Sequence, residues 1–253
     1  WSTLFPYTTL FRSGQSIQAP GYGSMALAAL EGDVTTASAV GDWAEAWNTF
    51  AKEGRWPSGA QSNPGVPTPE GRTTTGAVAT SVTVAPNARL DVPFLLAWHY
   101  PNKYNAHGVW MGCHYATRWP DARAVLKETS ASLPEWRAQT DLFRRTFSES
   151  TLPSWLLDCL TANAAIIRHI GVVFRIANGD IYGWEGSNGC CQPTCTHVWG
   201  YEQTLSRLFP DLEREMRRID FKHQQRKDGG VNNRTDVPSP PRQIGRASCR
   251  ERV

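Results

Sequence analysis

The stretch GVVFRIANGDIYGWEG, residues 171–186, decides how the chain is read. It predicts two short strands joined by a turn at Asn178-Gly179, because Asn-Gly between apolar runs favours a tight hairpin. On both sides the period is helical. Upstream, Ser150–Pro153 open a helix with an apolar stripe of Leu156, Cys159, Leu160, Asn163, Ile167 and Ile170, which Gly171 ends. Downstream, Thr194–Leu208 is helical with Val198, Tyr201 and Leu205 in register. Pro210 to about Gln225 is helical with Leu212, Met216 and Ile219 inward. Asp228–Gln243 is polar, with Gly, Asn and Pro, and predicts a loop or a mobile tail.

Toward the N-terminus the long helical period persists from Pro120 to about Phe147. Proline suits a first helical position, where its missing N–H would be unpaired anyway. Before Trp119 the pattern is that of strands. Ser24–Leu30 is a short apolar run, Ala77–Val84 alternates ahead of a turn at Pro86-Asn87, and Leu90–Tyr100 is strongly apolar. Asp42–Glu53 reads as a helix with Trp43, Ala46, Trp47 and Phe50 on one face, and Ser58–Thr75 as a loop. The chain is thus read as α+β in two parts: a β-sandwich with an inserted helix over 14–118, then a helical part over 119–243.

The two ends stand apart. Thr3–Ser13, TLFPYTTLFRS, can be back-translated into a DNA string whose reverse complement encodes Ile244–Val253, IGRASCRERV. Unrelated protein ends have no reason to be complementary, so residues 1–13 and 244–253 are read as translated sequencing adapter and excluded from fold reasoning. The natural segment is then about Gly14–Gln243, expected to be internal to a longer protein. Setting aside Arg12, Arg246, Arg250, Arg252 and Glu251 brings the formal charge of +3 to about zero, so nothing in the charge points to nucleic acid. No apolar run approaches the roughly 20 residues of a membrane-spanning helix. Without Cys249, five cysteines remain, and unpaired thiols suit a reducing, cytoplasmic compartment.

Tyr182–Tyr201, YGWEGSNGCCQPTCTHVWGY, concentrates the chemistry. Cys190, Cys191, Cys195 and His197 have the wrong spacing for structural zinc, which favours two separated pairs. With Cys113 and Cys159 they read more simply as buried thiols. Glu185 ends an apolar strand between Gly183 and Gly186, with Tyr182, Trp184, Trp199 and Tyr201 nearby. Two readings stand side by side. One is a solvated strand-end carboxylate; the other is a carboxylate with work to do, among aromatic faces of the kind that pack on sugars.

Four segments carry a family resemblance: VPFLLAWHYPN (92–102), STLPSWLLDCLTANA (150–164), NGDIYGWEG (178–186) and CTHVWGYEQTLSRLFPDLEREMR (195–217). In order and spacing they resemble glycoside hydrolase family 116, the bile-acid β-glucosidase or non-lysosomal glucosylceramidase family. The resemblance implies an N-terminal β-sandwich followed by an (α/α)6 barrel, of which this chain holds only the first helices. It implies a retaining β-glycosidase with Glu185 as nucleophile and an aspartate acid/base that belongs beyond Gln243. The chain is therefore expected to be an inactive fragment. Trp184, Thr196, His197 and Trp199 are the substrate-binding residues implied, although Thr196 stands where eukaryotic-type members carry a sugar-binding aspartate. No metal or organic cofactor is implied, and the expected substrate is a β-glucoside or a glycolipid. The rival readings are a carbohydrate-binding module without catalysis and a cysteine-based metal or redox module.

Overall fold

The computed structural model describes residues 9–12, 16–40, 42–56, 75–105, 107–165, 167, 173–183, 194, 203–235 and 237. It is a mixed α/β structure of small antiparallel sheets and helices. The chain divides into two compact units, one of residues 1–102 and 115–142, the other of residues 103–114 and 143–253.

In the first unit, β1 (Thr9–Arg12), β2 (Ser24–Ala29) and β5 (Phe94–His99) form one sheet in that order, all antiparallel. Ser24 pairs with His99, Ala26 with Ala97 and Ala28 with Leu95, and this face is buried. Against it lies the start of α2 (Ala122–Ser148), whose Ala122 and Leu126 are wholly buried. The alanines keep that face shallow, so the helix backbone comes close enough for Ser24 Oγ to accept the Ala122 N–H at 3.0 Å. Asp121 accepts the Ala124 N–H at 2.8 Å, so an aspartate caps α2 and Pro120 sits just outside it. The helix runs on through Pro134, which removes one backbone donor from its interior.

A second sheet pairs β3 (Asp33–Val40) with β4 (Thr75–Ser81), and α1 (Trp43–Glu53) connects from β3. β3 has no counterpart among the strands read from the sequence. Asp42 caps α1 by accepting the N–H groups of Ala44 and Glu45, and Gly54, in the left-handed region at φ 66°, ends it by donating to Phe50 O. Phe50 stacks on buried Trp56 at 5.0 Å, and Ala37, Ala79 and Ala46 complete this small core. Trp43 packs edge-on against Trp56 at 6.5 Å and Trp47 against Phe50 at 5.8 Å, at the margin of this core; they remain 46% and 60% exposed, because a two-stranded sheet covers only part of the helical stripe.

Thr9–Arg12 differs from the expectation that the N-terminal stretch stays apart. It adds to β2 in register, Thr9 opposite Leu27 through Arg12 opposite Ser24. An open strand edge offers a row of backbone donors and acceptors, which any extended segment can satisfy without side-chain complementarity. The side chains of Phe5, Tyr7 and Phe11 lie outside the described residues.

The second unit is built round the hairpin of β6 (Phe174–Arg175) and β7 (Ile181–Tyr182), where the sequence placed it. Gly179 adopts φ +95° in the turn, open to glycine at no steric cost, and donates to Ile176 O. Ile176, Ile181 and Tyr182 pack with Met111, with Leu205 of α4 (Gln203–Leu208), and with Met216 and Ile219 of α5 (Pro210–Ile219). A π-helical turn, Asp220–Gln224, extends α5. The segment read as a loop or mobile tail is a loop that packs: Asn232, Thr235 and Val237 are all buried. α3 (Ser154–Ala165) follows α2 as the sequence predicts.

Candidate functional site

Strand β7 is the described element that leads toward the predicted site. Its side chains are held by a polar network that the hairpin and α5 build together. Asp180 closes the hairpin turn, where Asn178 donates to its carboxylate at 3.0 Å and accepts its N–H at 2.9 Å. The same carboxylate lies 3.5 Å from Arg218 and 4.0 Å from His223 Nε2. The buried Tyr182 hydroxyl donates to Asp180 as well; burial first, and the neighbouring carboxylate second, push that phenol well above its usual range. Tyr182 is therefore a neutral donor.

Below this lies Asp220, 1% exposed. It accepts from Arg217 at 2.8 Å and from Thr235 at 2.9 Å. Burial raises its pKa from 3.8 to about 6, against the pull of Arg217 and Thr235. Arg217 also binds Glu213 at 2.8 Å, so one guanidinium serves two carboxylates. Asn232 donates its side chain to Gln224 at 3.0 Å, which with the Thr235 bond fixes the last described segment on α5 and its π turn.

Beyond Tyr182 the chain reaches Gly183, which is paired in both directions with Thr194. Thr194 N donates to Gly183 O at 2.6 Å, and Gly183 N donates to Thr194 Oγ1 at 3.3 Å. Both residues are buried. Trp184, Glu185, Asn188, Cys190, Cys191, Cys195, Thr196, His197 and Trp199 lie outside the described residues. Cys113, half-buried, and Cys159, exposed, are not disulfide-bonded, so Cys159 departs from its reading as a buried thiol; burial raises the pKa of Cys113. Among the described residues no group of three His, Cys, Asp or Glu side chains could hold a metal ion. No described helix is long and apolar enough to cross a membrane.

A pocket of about 290 Å³ in the first unit lies beside β5 and α2, lined by Leu95, Trp98, Tyr115, Trp119, Val125 and Thr129 among others. No carboxylate, histidine or lysine is among its described lining residues; its hydroxyls are those of Tyr115 and Thr129, and the Tyr115 hydroxyl accepts the Tyr100 N–H at 2.7 Å and donates to Tyr100 O at 2.8 Å.

The sequence model described as beta-glucosidase 2, glycosyl-hydrolase family 116 N-term, matches residues 7–136. The chain belongs to glycosyl-hydrolase family 116. The match takes in β1–β5 and the first half of α2, and begins inside the N-terminal stretch read as adapter-derived. No curated protein matches the chain. The family assignment thus rests on the N-terminal part, whereas the network around β7 lies beyond residue 136. Sequence reasoning passed over that network. The i,i+4 and i,i+3 spacing of Glu213, Arg217 and Asp220 carried a signal for its helical part, while the partners of Asp180 and Thr194 left none.

Proposed function

We propose that the chain is a segment of a retaining β-glycosidase that hydrolyses β-glucosides, glucosylated lipids among them, with Glu185 as nucleophile. The observation that carries this reading is the family 116 match over residues 7–136. The motif NGDIYGWEG, which leads through β7 to Glu185, supports the site. On this reading residues 14–118 are part of a β-sandwich and 119–243 the first helices of an (α/α)6 barrel, with adapter-derived residues at both ends. Sequencing the uninterrupted parent gene tests the ends.

The chemistry is double displacement. Ionised Glu185 attacks the anomeric carbon as the glycosidic bond breaks, and the departing oxygen takes a proton from the acid/base aspartate, which belongs to a further segment of the parent. Water, deprotonated by that aspartate, then displaces Glu185 and restores the configuration. Retention requires the two carboxyl groups to stand about 5–5.5 Å apart. Thr196 and His197 are the proposed hydroxyl-binding residues, and Trp184 and Trp199 the proposed ring platforms. The chain alone, without the acid/base, is proposed to be inactive, since general acid–base help is worth about 10²–10⁴-fold.

The test uses the full-length parent. Glu185→Gln keeps the shape and removes the attacking charge, so turnover of an aryl β-glucoside should collapse. In Glu185→Gly, added azide should restore turnover and give an α-glucosyl azide, since the small anion attacks from the vacated side. Near-wild-type turnover by Glu185→Gln would mean that Glu185 is not the nucleophile.

A further inference from the structure

Strand β5 forms one edge of its sheet, whose order is β1-β2-β5. The phase of its backbone follows from two contacts. Leu30 N donates to Pro93 O at 3.0 Å, so Pro93 and, by alternation, Leu95, Ala97 and His99 turn their backbone groups to β2. Phe94, Leu96, Trp98 and Tyr100 turn theirs outward. Both outward groups of Tyr100 are engaged by the Tyr115 hydroxyl, which accepts the N–H at 2.7 Å and donates to the carbonyl at 2.8 Å. Among the described residues nothing bonds the outward groups of Phe94, Leu96 and Trp98. A row of open N–H and C=O groups therefore runs along this edge and is stopped at Tyr100 by Tyr115.

Proteins usually blunt such an edge with a charge, a bulge or an outward-phase proline. Residues 92–98, VPFLLAW, carry no charge, and the pairing with β2 runs without a register shift. Pro93 lies in the phase that faces β2, so it removes no outward donor. Arg89 and Asp91 precede the strand and bind each other at 2.8 Å. On one face of the edge Phe94, Leu96 and Trp98 are 50%, 54% and 56% exposed. On the α2 side the pocket of about 290 Å³ lies beside the same strand, lined by Leu95, Ala97, Trp119 and Val125 among others. An uncharged, unblunted, apolar edge suits a strand of the same character, and residues 94–98 are themselves such a strand.

We propose that a second copy of the chain docks on this edge, its β5 antiparallel to the first about a two-fold axis at Leu96. With the axis there, Phe94 meets Trp98 of the second copy, Leu96 meets Leu96, and Trp98 meets Phe94. All of these are outward-phase residues, so the open groups satisfy one another. Moving the axis to Ala97 would set Phe94 against Tyr100, whose groups Tyr115 already holds. Moving it to Leu95 would set Trp98 against Val92, outside the strand. The aromatic and leucine pairs share one face, and such cross-strand pairs stabilise an antiparallel ladder. Leu95 of the second copy comes opposite Ala97, on the side of the pocket. Phe94 and Trp98, half exposed, each have roughly 75–125 Å² left to cover, half of what a buried aromatic removes from water. Counted over both copies, these side chains stay below the roughly 1,200 Å² at which standard interfaces begin. The dimer is therefore weak and concentration-dependent, with the backbone ladder setting its geometry.

The test uses the whole chain in sedimentation velocity over a wide range of concentrations. Wild type should show a reversible monomer–dimer equilibrium. Leu96→Pro removes an outward N–H and spares the bonds to β2, so it should weaken dimerisation about 5- to 150-fold, the scale of the two bonds exchanged at the axis, with an unchanged far-UV circular dichroism spectrum. If the spectrum changes, a pair of variants that keeps the backbone decides alone. Leu96→Lys and Leu96→Glu each set like charges face to face across the axis, so each should be monomeric; an equal mixture sets Lys against Glu and should dimerise again. That recovery requires residue 96 to meet residue 96. A wild type that is monomeric at every concentration overturns the proposal and leaves the edge to a strand of the parent protein. Dimerisation as strong as wild type in Leu96→Lys, in Leu96→Glu or in a natively folded Leu96→Pro overturns it and puts the contact elsewhere. Loss in both charged variants without recovery in their mixture overturns the two-fold register, and with it the proposal.

Discussion

Asp220 behaves against the habit of surface carboxylates. Its folded-state pKa of about 6 lies above the ordinary value of 3.8, because burial opposes the charge more than Arg217 and Thr235 favour it. The folded protein therefore holds this proton more tightly than the unfolded chain does. The group's contribution to stability is full below pH 3.8 and declines as pH rises through about 6. Asp220→Asn keeps an acceptor for Thr235 and removes the titration, so the drop in stability across that window should flatten. Urea unfolding followed between pH 4 and 7 in both proteins checks this; parallel curves would show that Asp220 does not titrate there. Leu126, fully buried against Ala26, Ala28, Ala97 and Ala122, is a second sensitive residue. Leu126→Ala leaves a cavity beneath a shallow alanine face that has little to collapse with, and should cost about 2–5 kcal/mol in denaturant unfolding.

At the scale of elements, α1 is the piece whose ends are most fully specified. Asp42 accepts two N–H groups at its start and Gly54 turns the chain at its end, although none of the helix is buried. An exposed helix with little packing depends on its caps more than a core helix does. Asp42→Ala should cost about 0.5–2 kcal/mol, visible as faster amide exchange confined to α1; unchanged exchange there would mean that packing through Phe50 and Trp56 suffices. The β6–β7 hairpin shows the opposite case. It has only two paired residues per strand, too few to stand alone. Burial of Ile176, Ile181 and Tyr182 against α4 and α5 supplies what the ladder lacks.

At the scale of the whole molecule, apolar surface is left uncovered. On β5, Phe94, Leu96 and Trp98 share one face and are each at least half exposed, opposite the face that α2 covers. In the second unit Trp155, Leu152 and Leu160 of the α3 region are similarly exposed. Contiguous patches of this kind are rare on monomeric proteins. The isolated chain should therefore bind a hydrophobic dye or self-associate, as an incomplete domain pair would. Sedimentation as a monomer with no dye enhancement would count against that expectation.

What the residues determined by themselves is local. Asp42 and Gly54 bracket α1, Asn178-Gly179 folds the hairpin, and the spacing of Leu212, Met216 and Ile219 sets the inward face of α5. Each depends on neighbours within about one helical turn, where backbone preference and side-chain period act directly. The family resemblance was legible too, since it resides in the order of short motifs. Contacts between distant segments were not legible. Ser24 meets the first N–H of α2, Thr235 reaches Asp220, and Thr194 comes back to Gly183. The polar segment after Asp228 looked suited to solvent, yet three of its residues are buried once Asp220 and Gln224 offer partners. Nor did the stripe of α1 reveal that the sheet beneath it is too narrow for Trp43 and Trp47. Periodicity states which face of an element is apolar; only the assembled structure decides how much of that face is covered, and which polar groups find each other when water is excluded.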